Sequence, residues 1–185
     1  MKLTVEKREA KSKGELNKIR QRGDIPAVLY ASGQPNKYIV IKGNEFISAY
    51  RDTPKGALPT ITFEMEVDGE LYKAVVKEIQ YHPTTYVITH LDFLALQEDK
   101  PIKVNVPVRC IGVEDCIGIK LGGFLRQVRR HVQVRCMPKD LPKEFLLDIR
   151  DLKIRGTKRV KDIKVPEKVR PLINPQDVLA VIAKR

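Results

Sequence analysis

Four polar side chains with hydrogen-bonding edges are concentrated in one short stretch of this sequence, Lys77–Phe93. They are Gln80, His82, His90 and Asp92. Two histidines and an aspartate can hold a metal ion or transfer protons. The same groups can donate to, and accept from, base edges and sugar hydroxyls of RNA. The stretch is therefore a candidate site whose chemistry the remaining residues must decide.

His90 and Asp92 are the pair whose arrangement is restricted by spacing alone. Residues two apart on a strand share a face, so these side chains are predicted to lie side by side, with Leu91 and Phe93 pointing into the core. His82 precedes a proline and is predicted to lie in a turn. The chain has no H-E-x-x-H pattern, glycine-rich phosphate loop or nucleophile elbow. Three interpretations stay open: a metal or catalytic centre, a structural polar pair and, favoured over both, an RNA contact.

The charge balance favours a polyanionic partner. Lys and Arg number 35 against 23 Asp and Glu, a formal net charge of +12, and each cation that neutralises a phosphate releases a counterion. Nucleic acid is the leading candidate and an anionic membrane surface the second. No apolar run approaches the ~20 residues of a membrane span, and the N-terminus lacks the apolar core of a signal peptide. We therefore expect a cytosolic protein.

The three cysteines are predicted to be structural or incidental thiols. Cys110, Cys116 and Cys136 include no C-x-x-C pair. Their odd number and their spacing argue against a disulfide framework and against a zinc knuckle. No cofactor is expected.

A change in charge divides the sequence into two predicted domains. Residues 1–95 carry 14 Lys/Arg and 12 Asp/Glu, whereas residues 96–185 carry 21 and 11. Apolar alternation predicts a fold that is mainly β with short helices, of the α+β class. The second domain is predicted to be all-β, because its strand-like runs are separated by Gly and Pro at the roughly 8–12-residue spacing of a sandwich or barrel.

Two helices and one tight hairpin are predicted in the first domain. The capping-box spacing of Ser12 and Glu15 predicts a helix over 13–21, and Asn44 is predicted to cap a second helix. Asp68-Gly69 lies between two alternating runs and predicts a hairpin turn.

Three basic clusters are candidates for phosphate contacts. The first surrounds the predicted first helix and comprises Lys7, Arg8, Lys11, Lys13, Lys18, Arg20 and Arg22. The second is predicted on one strand, 124–136, with Arg126 and Arg130 on one face and Arg129, His131 and Arg135 on the other. The third lies within Arg150–Arg170, around Gly156 and the strand-like run RVKDIKV, and comprises Arg155, Lys158, Arg159, Lys161 and Lys164. The alternative in each case is a solvated surface, but the helix start and the density of charge favour phosphate.

Long stretches of the chain resemble a known family. REAKSKGELNKIRQRGDIPAVLYASG and KEIQYHPTTYVITHLDF resemble the two signature stretches of the bacterial large-subunit ribosomal protein twenty-five family. Residues 100–185 resemble the second domain of its longer members, known as general stress protein Ctc, notably in KPIKVNVPVRCIG, VQVRCMPKDLP and DVLAVIA. The resemblance implies a closed β-barrel first domain that binds 5S ribosomal RNA at an internal loop, through a widened minor groove, and a non-enzymatic role.

The resemblance also implies which residues contact RNA. Carried over by position they are Arg8, Lys13, Asn17, Lys18, Arg20, Tyr30, Lys77, Gln80, His90 and Asp92. The chain departs from the family pattern at Asn17, where a basic residue is common, at Lys77, where shorter members have Gln, and at Ala31, which replaces a frequent Gly. We expect Gln80, His90 and Asp92 to read the minor-groove side and the cations to hold phosphates.

The expected partners follow from the same resemblance and from the charge surplus. They are 5S rRNA and the large ribosomal subunit with its other RNA and proteins; no membrane is expected, and the free protein is expected to be a monomer. A second contact with ribosomal RNA is expected from the basic second domain, through Arg126, Arg129, Arg130, Arg155, Lys158 and Arg159. The rival functions are a stress-response RNA binder acting off the ribosome and a metal-dependent RNA hydrolase at His82, His90 and Asp92.

Overall fold

The structure, a computed structural model, describes residues 1–9, 13–31, 33 and 35–184. The chain forms two compact units, Met1–Lys100 and Pro101–Arg185, called here the first and second unit. Strands dominate both and the described helices are short, which confirms the predicted fold class. None of the helices in the described residues is long and apolar enough to cross a membrane.

The described part of the first unit alternates strands with two α-helices and one 3₁₀ turn. In chain order the elements are β1 (Lys2–Leu3), β2 (Val5–Lys7), α1 (Lys13–Gln21), β3 (Ile25–Tyr30), β4 (Lys37–Ile41), α2 (Gly43–Asp52), the 3₁₀ turn Leu58–Thr60, β5 (Thr62–Val67), β6 (Glu70–Tyr81) and β7 (Ile88–Ala95).

The first unit is a nearly closed barrel because one N-terminal segment pairs with both edges of its sheet. The strand order is β1-β5-β6-β7-β3-β4-β2. Only Thr4 separates β1 from β2, yet β1 pairs with β5 in parallel and β2 pairs with β4 in antiparallel fashion. Thr4 donates its backbone N–H to Glu45 Oε2 of α2 at 2.8 Å. Closure leaves few unpaired strand edges, and it agrees with the barrel that the family resemblance implies.

Three phenylalanines fill the centre of the first unit. Phe46 of α2, Phe63 of β5 and Phe93 of β7 are fully buried. Their ring centroids lie 5.9 to 6.4 Å apart in tilted or edge-to-face pairs, the arrangement that aromatic quadrupoles favour. Leu91 is also fully buried, which confirms the predicted alternation along β7.

The two helices differ in how well their starts are predicted. Helix α1 spans 13–21 as expected. The prediction that Asn44 caps α2 is wrong, because Lys42 occupies the cap position and no side chain caps the helix there. Gly43, the first helical residue, lies so close to Gly23 that an added Cβ would stand 1.8 Å from the Gly23 carbonyl oxygen. The helix therefore begins where two backbones touch, a tertiary contact that local capping rules do not contain.

The β5–β6 hairpin turns at Asp68-Gly69 as predicted. Both residues are left-handed, with φ of 58° and 78°, which is the requirement of a two-residue type I′ turn. β6 then runs for 12 residues and pairs with β7 in antiparallel register. This long second hairpin, Glu70–Ala95, carries most of the candidate site.

The described part of the second unit forms two small sheets. Its elements are β8 (Ile102–Ile111), α3 (Ile117–Lys120), β9 (Gly123–Gln127), β10 (His131–Cys136), the 3₁₀ turn Pro138–Asp140, β11 (Phe145–Asp148), β12 (Thr157–Arg159), the 3₁₀ turn Val160–Asp162, β13 (Arg170–Pro171) and β14 (Val178–Lys184). The strand orders are β11-β8-β10-β13 and β12-β14-β9.

The predicted continuous strand 124–136 is wrong. β9 pairs with β14 in one sheet, whereas β10 pairs with β8 in the other. The chain crosses between them at 128–130, where the backbone N–H groups of Val128 and Arg129 both donate to Leu179 O and Arg130 O accepts from Val108 N. The predicted arrangement, in which Arg126 and Arg130 share one face of a single strand, therefore does not exist.

The predicted strand RVKDIKV is also wrong over most of its length. Only Arg159 belongs to β12, and Val160–Asp162 form a 3₁₀ turn. Asp162 Oδ2 accepts the Arg159 backbone N–H at 2.7 Å, and the turn buries Val160 and Ile163. The alternation that suggests a strand is thus satisfied by a tight turn.

Candidate nucleic-acid interface

A polar cluster of Tyr30, His90 and Asp92 lies on the outer face of the barrel. β3 and β7 are parallel with Val28 opposite Asp92, so Tyr30, two residues further on, projects from the same face. The Tyr30 hydroxyl donates to Asp92 Oδ2 at 2.9 Å. His90 Nδ1 lies 2.9 Å from Asp92 Oδ1. Both oxygens of the carboxylate therefore have a neighbour within the protein.

The His90–Asp92 contact is a close approach without hydrogen-bond alignment. His90 Nδ1 is buried and has no aligned hydrogen-bond partner among the described residues, in spite of the short distance to Asp92. The side chains of His90 and Asp92 keep 19% and 17% of their surface exposed. The pair is thus predicted correctly as neighbours on one face, and it retains an open edge toward solvent.

Burial, followed by the hydrogen bond to Asp92, raises the pKa of Tyr30 above its ordinary value. The hydroxyl therefore stays protonated at neutral pH and remains a donor. The negative charges of Asp92 and of the nearby Glu78 act in the same direction. Tyr30 holds the carboxylate of Asp92 in one orientation on the barrel surface.

Strand register extends this cluster across the sheet. Glu78 lies opposite Asp92, and Gln80 lies opposite His90. On the other side Tyr38 lies opposite Val28. Glu78 is therefore a further candidate residue that the sequence did not single out, although its spacing of two from Gln80 on one strand predicts a shared face.

Lys77 lies at an irregularity in the same strand. Val76 pairs with Phe93 and Glu78 pairs with Asp92, so Lys77 is the extra residue of a bulge. The exposed side chain of Lys77 thus starts from a position outside the regular row.

Arg20 attaches helix α1 to the polar cluster. Its Nε donates to Thr89 O at 3.1 Å, and its Nη1 donates to Asn17 Oδ1 at 3.3 Å. Thr89 immediately precedes His90 and its hydroxyl donates to Gln80 O at 3.1 Å. Asn17, which departs from the family pattern, therefore orients Arg20 rather than adding a cation.

Arg8 brings a second guanidinium to the same side of the barrel. Its Nε donates to Ile39 O at 3.3 Å, and its guanidinium lies 5.1 Å from the Tyr38 ring centroid. Burial lowers the pKa of Arg8, and the positive charge of nearby Arg20 lowers it further. Two cations held close together by separate anchors form a favourable environment for an anion.

A cleft of about 480 Å³ opens between β2 and α1. Its charged lining consists of Lys7, Arg8, Glu9, Glu15, Lys18 and Arg22. Lys13 is the exposed first residue of α1. Lys11 and Ser12, which the sequence analysis assigned to the basic cluster and to the capping box, lie outside the described residues. The predicted phosphate-holding side of the site thus has four cations on one cleft against two acids.

His82 belongs to the loop at the end of the β6–β7 hairpin and lines a second cleft together with Arg20 and Thr89. Its backbone N–H donates to Val87 O at 2.8 Å and its carbonyl accepts from Tyr86 N at 2.9 Å. Its Nδ1 accepts from Thr85 N at 3.4 Å. The predicted turn position is confirmed. No group of three or more His, Cys, Asp or Glu side chains in the described ranges is arranged to hold a metal ion.

Comparison with known proteins identifies the family. Residues 3–93 match the Ribosomal L25p family, and residues 101–185 match the Ribosomal protein TL5 C-terminal domain. The chain is 42% identical to the large ribosomal subunit proteins bL25 of Chlamydia muridarum, Chlamydia trachomatis serovar L2 and Chlamydia pneumoniae, over the full length of both chains in each case. This chain belongs to the bL25 family. Its two matched domains confirm the resemblance to the long, two-domain form.

The second unit of this bL25 chain presents some, but not all, of its predicted RNA-binding cations. Arg129 pairs with Asp177 at 3.0 Å, and Lys158 pairs with Asp151 at 2.8 Å. Arg159 Nη1 donates to Gln176 O at 2.9 Å. Three further cations are exposed and have no side-chain partner within the described ranges: Arg126, Arg130 and Arg155.

Proposed function

We propose that this chain binds 5S ribosomal RNA through the outer face of its first unit. As a bL25 family member it is a structural, non-enzymatic constituent of the large ribosomal subunit, and it is located in the cytoplasm with the ribosome. The observation that carries the proposal is the position of Tyr30, His90 and Asp92 beside the guanidinium groups of Arg8 and Arg20. Side chains that can recognise base edges and side chains that can bind phosphates thus lie on one side of the same barrel.

The polar cluster has the chemistry of a minor-groove reader. An A-form helix offers 2′-hydroxyls and base edges in its shallow minor groove, whereas its deep major groove excludes side chains. Asp92 keeps free lone pairs for an amino group or a 2′-hydroxyl, and Gln80 can both donate and accept. The open edge of His90 completes a donor–acceptor row across β6 and β7.

The cations around α1 supply the phosphate contacts. Arg8 and Arg20 are held by backbone carbonyl groups, so their positions are established before RNA arrives. Lys18 and Arg22 line the adjacent cleft. Preorganised cations reduce the side-chain entropy that binding would otherwise cost.

The carboxylates of Glu78 and Asp92 contribute selectivity. They lie opposite each other on adjacent strands and repel any phosphate placed directly on the row. An RNA segment fits only where it presents donors to these two residues and phosphates to the flanking arginines. This combination of attraction and repulsion disfavours an arbitrary RNA duplex.

The test is binding of the full chain to 5S rRNA by filter retention, with co-sedimentation on large subunits in parallel. We expect 5S rRNA to bind more tightly than an unrelated duplex of equal length, and Asp92→Ala to weaken that preference. The free chain is expected to elute as a monomer in size-exclusion chromatography. Equal affinity for both RNAs would contradict the proposal, and failure to sediment with subunits would favour a stress-response RNA binder acting off the ribosome.

The second unit adds a further contact with ribosomal RNA in this proposal. The exposed cations Arg126, Arg130 and Arg155 carry it. Arg129, Lys158 and Arg159 contribute as members of ion pairs or hydrogen bonds that can rearrange. Substituting Arg126, Arg130 and Arg155 by Gln together should reduce the salt dependence of binding to whole subunits, because each phosphate contact adds about one unit to the slope. An unchanged slope would contradict this part of the proposal.

A further inference from the structure

An aromatic cleft of about 520 Å³ lies between the far end of the β6–β7 hairpin and helix α2. Its lining includes Tyr50, Tyr81, Tyr86, Ile47, Val87 and Arg51. Tyr86 is 77% exposed and Val87 is 62% exposed. Rigid aromatic side chains presented in this way to solvent indicate a binding surface rather than a core.

The tyrosines are held in place by the protein itself. The hydroxyls of Tyr81 and Tyr50 form a hydrogen bond, and burial followed by that bond raises the pKa of Tyr81 to about 12. The bond between the two hydroxyls fixes one tyrosine against the other across the cleft. The cleft thus has a preformed wall of two tyrosine rings.

Tyr86 is presented by a strained and closed loop. Its φ is 55°, in the left-handed region that residues with bulky side chains rarely adopt. Hydrogen bonds from Tyr86 N to His82 O and from His82 N to Val87 O maintain that conformation. Backbone strain that surrounding structure sustains is concentrated at functional sites, and here it projects an aromatic ring at the rim of an apolar cleft.

The cleft adjoins the elements that carry the proposed RNA face. Tyr81 follows Gln80 on β6, at a shift in the strand's register with β7. A neighbouring cleft shares Ile47 and Val87 and is lined on its other side by Arg20. Among the described lining residues of the aromatic cleft, Arg51 supplies the one formal charge. An RNA segment held by Arg20 can therefore follow the neighbouring cleft to the tyrosines and to Arg51.

We propose that this cleft stacks an unpaired base of 5S rRNA next to the segment read by Gln80 and His90. Tyr86 is the stacking platform, and Arg51 holds the phosphate of the stacked nucleotide. Single-stranded nucleotides bind in this way because every base has a π face and aromatic side chains offer the complement. The proposal rests on the proposed 5S rRNA binding and adds a nucleotide subsite to it.

The test compares Tyr86→Phe with Tyr86→Leu in the full chain. Phenylalanine keeps the ring, whereas leucine keeps apolar volume but removes the π face. We expect Tyr86→Phe to bind 5S rRNA as the wild type does, and Tyr86→Leu to raise the Kd about 5- to 150-fold. Arg51→Gln should reduce the slope of log Kd against log salt by about 1. Phe124→Leu is the matched control, because Phe124 is a half-exposed aromatic residue of the second unit.

Three results would contradict the base-stacking subsite, and they differ in whether they also contradict the proposed 5S rRNA binding. If Tyr86→Leu binds 5S rRNA normally while Asp92→Asn weakens it, the subsite is absent and the proposed function stands. If the wild-type chain has no affinity for 5S rRNA, the result contradicts both the subsite and the proposed function. If Tyr86→Leu affects only binding to large subunits depleted of this protein, the cleft holds another component, such as an apolar segment of a neighbouring protein.

Discussion

The hydroxyl of Tyr30 and Oδ2 of Asp92 are joined by a 2.9 Å hydrogen bond although the residues lie 62 positions apart in the chain. The bond runs diagonally across the parallel pair β3–β7, in which Tyr30 lies opposite Leu94 and Val28 lies opposite Asp92. The bond fixes the orientation of the Asp92 carboxylate, which is a hydrogen-bond acceptor beside His90.

The first prediction concerns this bond. Tyr30→Phe keeps the ring and removes the donor, so the free energy of unfolding should fall by about 1 kcal/mol and 5S rRNA affinity should also fall. Thermal unfolding and filter binding measure the two effects. The matched control for stability is Tyr38→Phe, which removes a hydroxyl from the neighbouring strand and should leave the free energy of unfolding almost unchanged. Equal effects at both positions would show that the bond has no particular role.

The second prediction separates recognition from stability at Asp92. Asp92→Asn keeps the shape and removes the charge, and it should cost about 1–3 kcal/mol of 5S rRNA affinity if the carboxylate accepts from a base edge. Glu78→Gln is the same chemical change on the facing strand position. A loss of stability at Asp92 with unchanged affinity would assign the residue to a structural polar pair instead.

The third prediction concerns phosphate contacts at α1. Lys18→Gln removes a cation that lines the basic cleft and should reduce the slope of log Kd against log salt by about 1. Lys55→Gln makes the same charge change in the exposed loop after α2 and should leave the slope almost unchanged. If both variants change the slope equally, the attraction is a diffuse effect of net charge rather than a contact.

The fourth prediction is a pH dependence in the second unit. Hydrogen bonds from Arg150 lower the pKa of Asp148 from 3.8 to about 2. A lowered carboxyl pKa contributes stability above pH 3.8, and that contribution disappears as the pH falls through about 2. The stability difference between the wild type and Asp148→Asn should therefore be constant near neutral pH and shrink over that window in chemical denaturation. High salt should also reduce this stability difference, because the ion pair is exposed to solvent. A stability difference that persists at the lowest pH would exclude the ion pair as its cause.

The fifth prediction concerns the start of α2. Gly43→Ala places a Cβ against the Gly23 carbonyl oxygen and should destabilise the first unit by about 1–3 kcal/mol, the usual cost of overpacking. Asn44→Ala changes the next residue, which does not occupy the cap position, and should stay within about 0.5 kcal/mol of the wild type. A larger effect at Asn44 than at Gly43 would restore Asn44 as the cap.

Local pattern was sufficient for much of the first unit. Period-two alternation placed His90 and Asp92 on one face and Leu91 and Phe93 inside, because strand geometry depends only on neighbours in the chain. The Asp68-Gly69 turn followed for the same reason, since both residues tolerate the left-handed conformation that a short hairpin needs.

Local patterns do not predict an element's boundary where backbone groups distant in the sequence determine it. The run 124–136 has the composition of one strand, yet it breaks at 128–130 because Leu179 and Val108 offer hydrogen bonds in different sheets. The start of α2 follows the approach of Gly23 rather than the nearest capping side chain. Neither partner is near in sequence, so no local propensity contains the information.

The sequence by itself determined the charge surplus, the strand faces and the shared face of His90 and Asp92, because these depend on residue types and on spacings of two. Only the tertiary structure decided which groups meet: that Tyr30 donates to Asp92, that Arg20 is held by Thr89, and that Glu78 joins the row. These contacts depend on barrel closure and strand register, which arise from pairings between segments far apart in the chain.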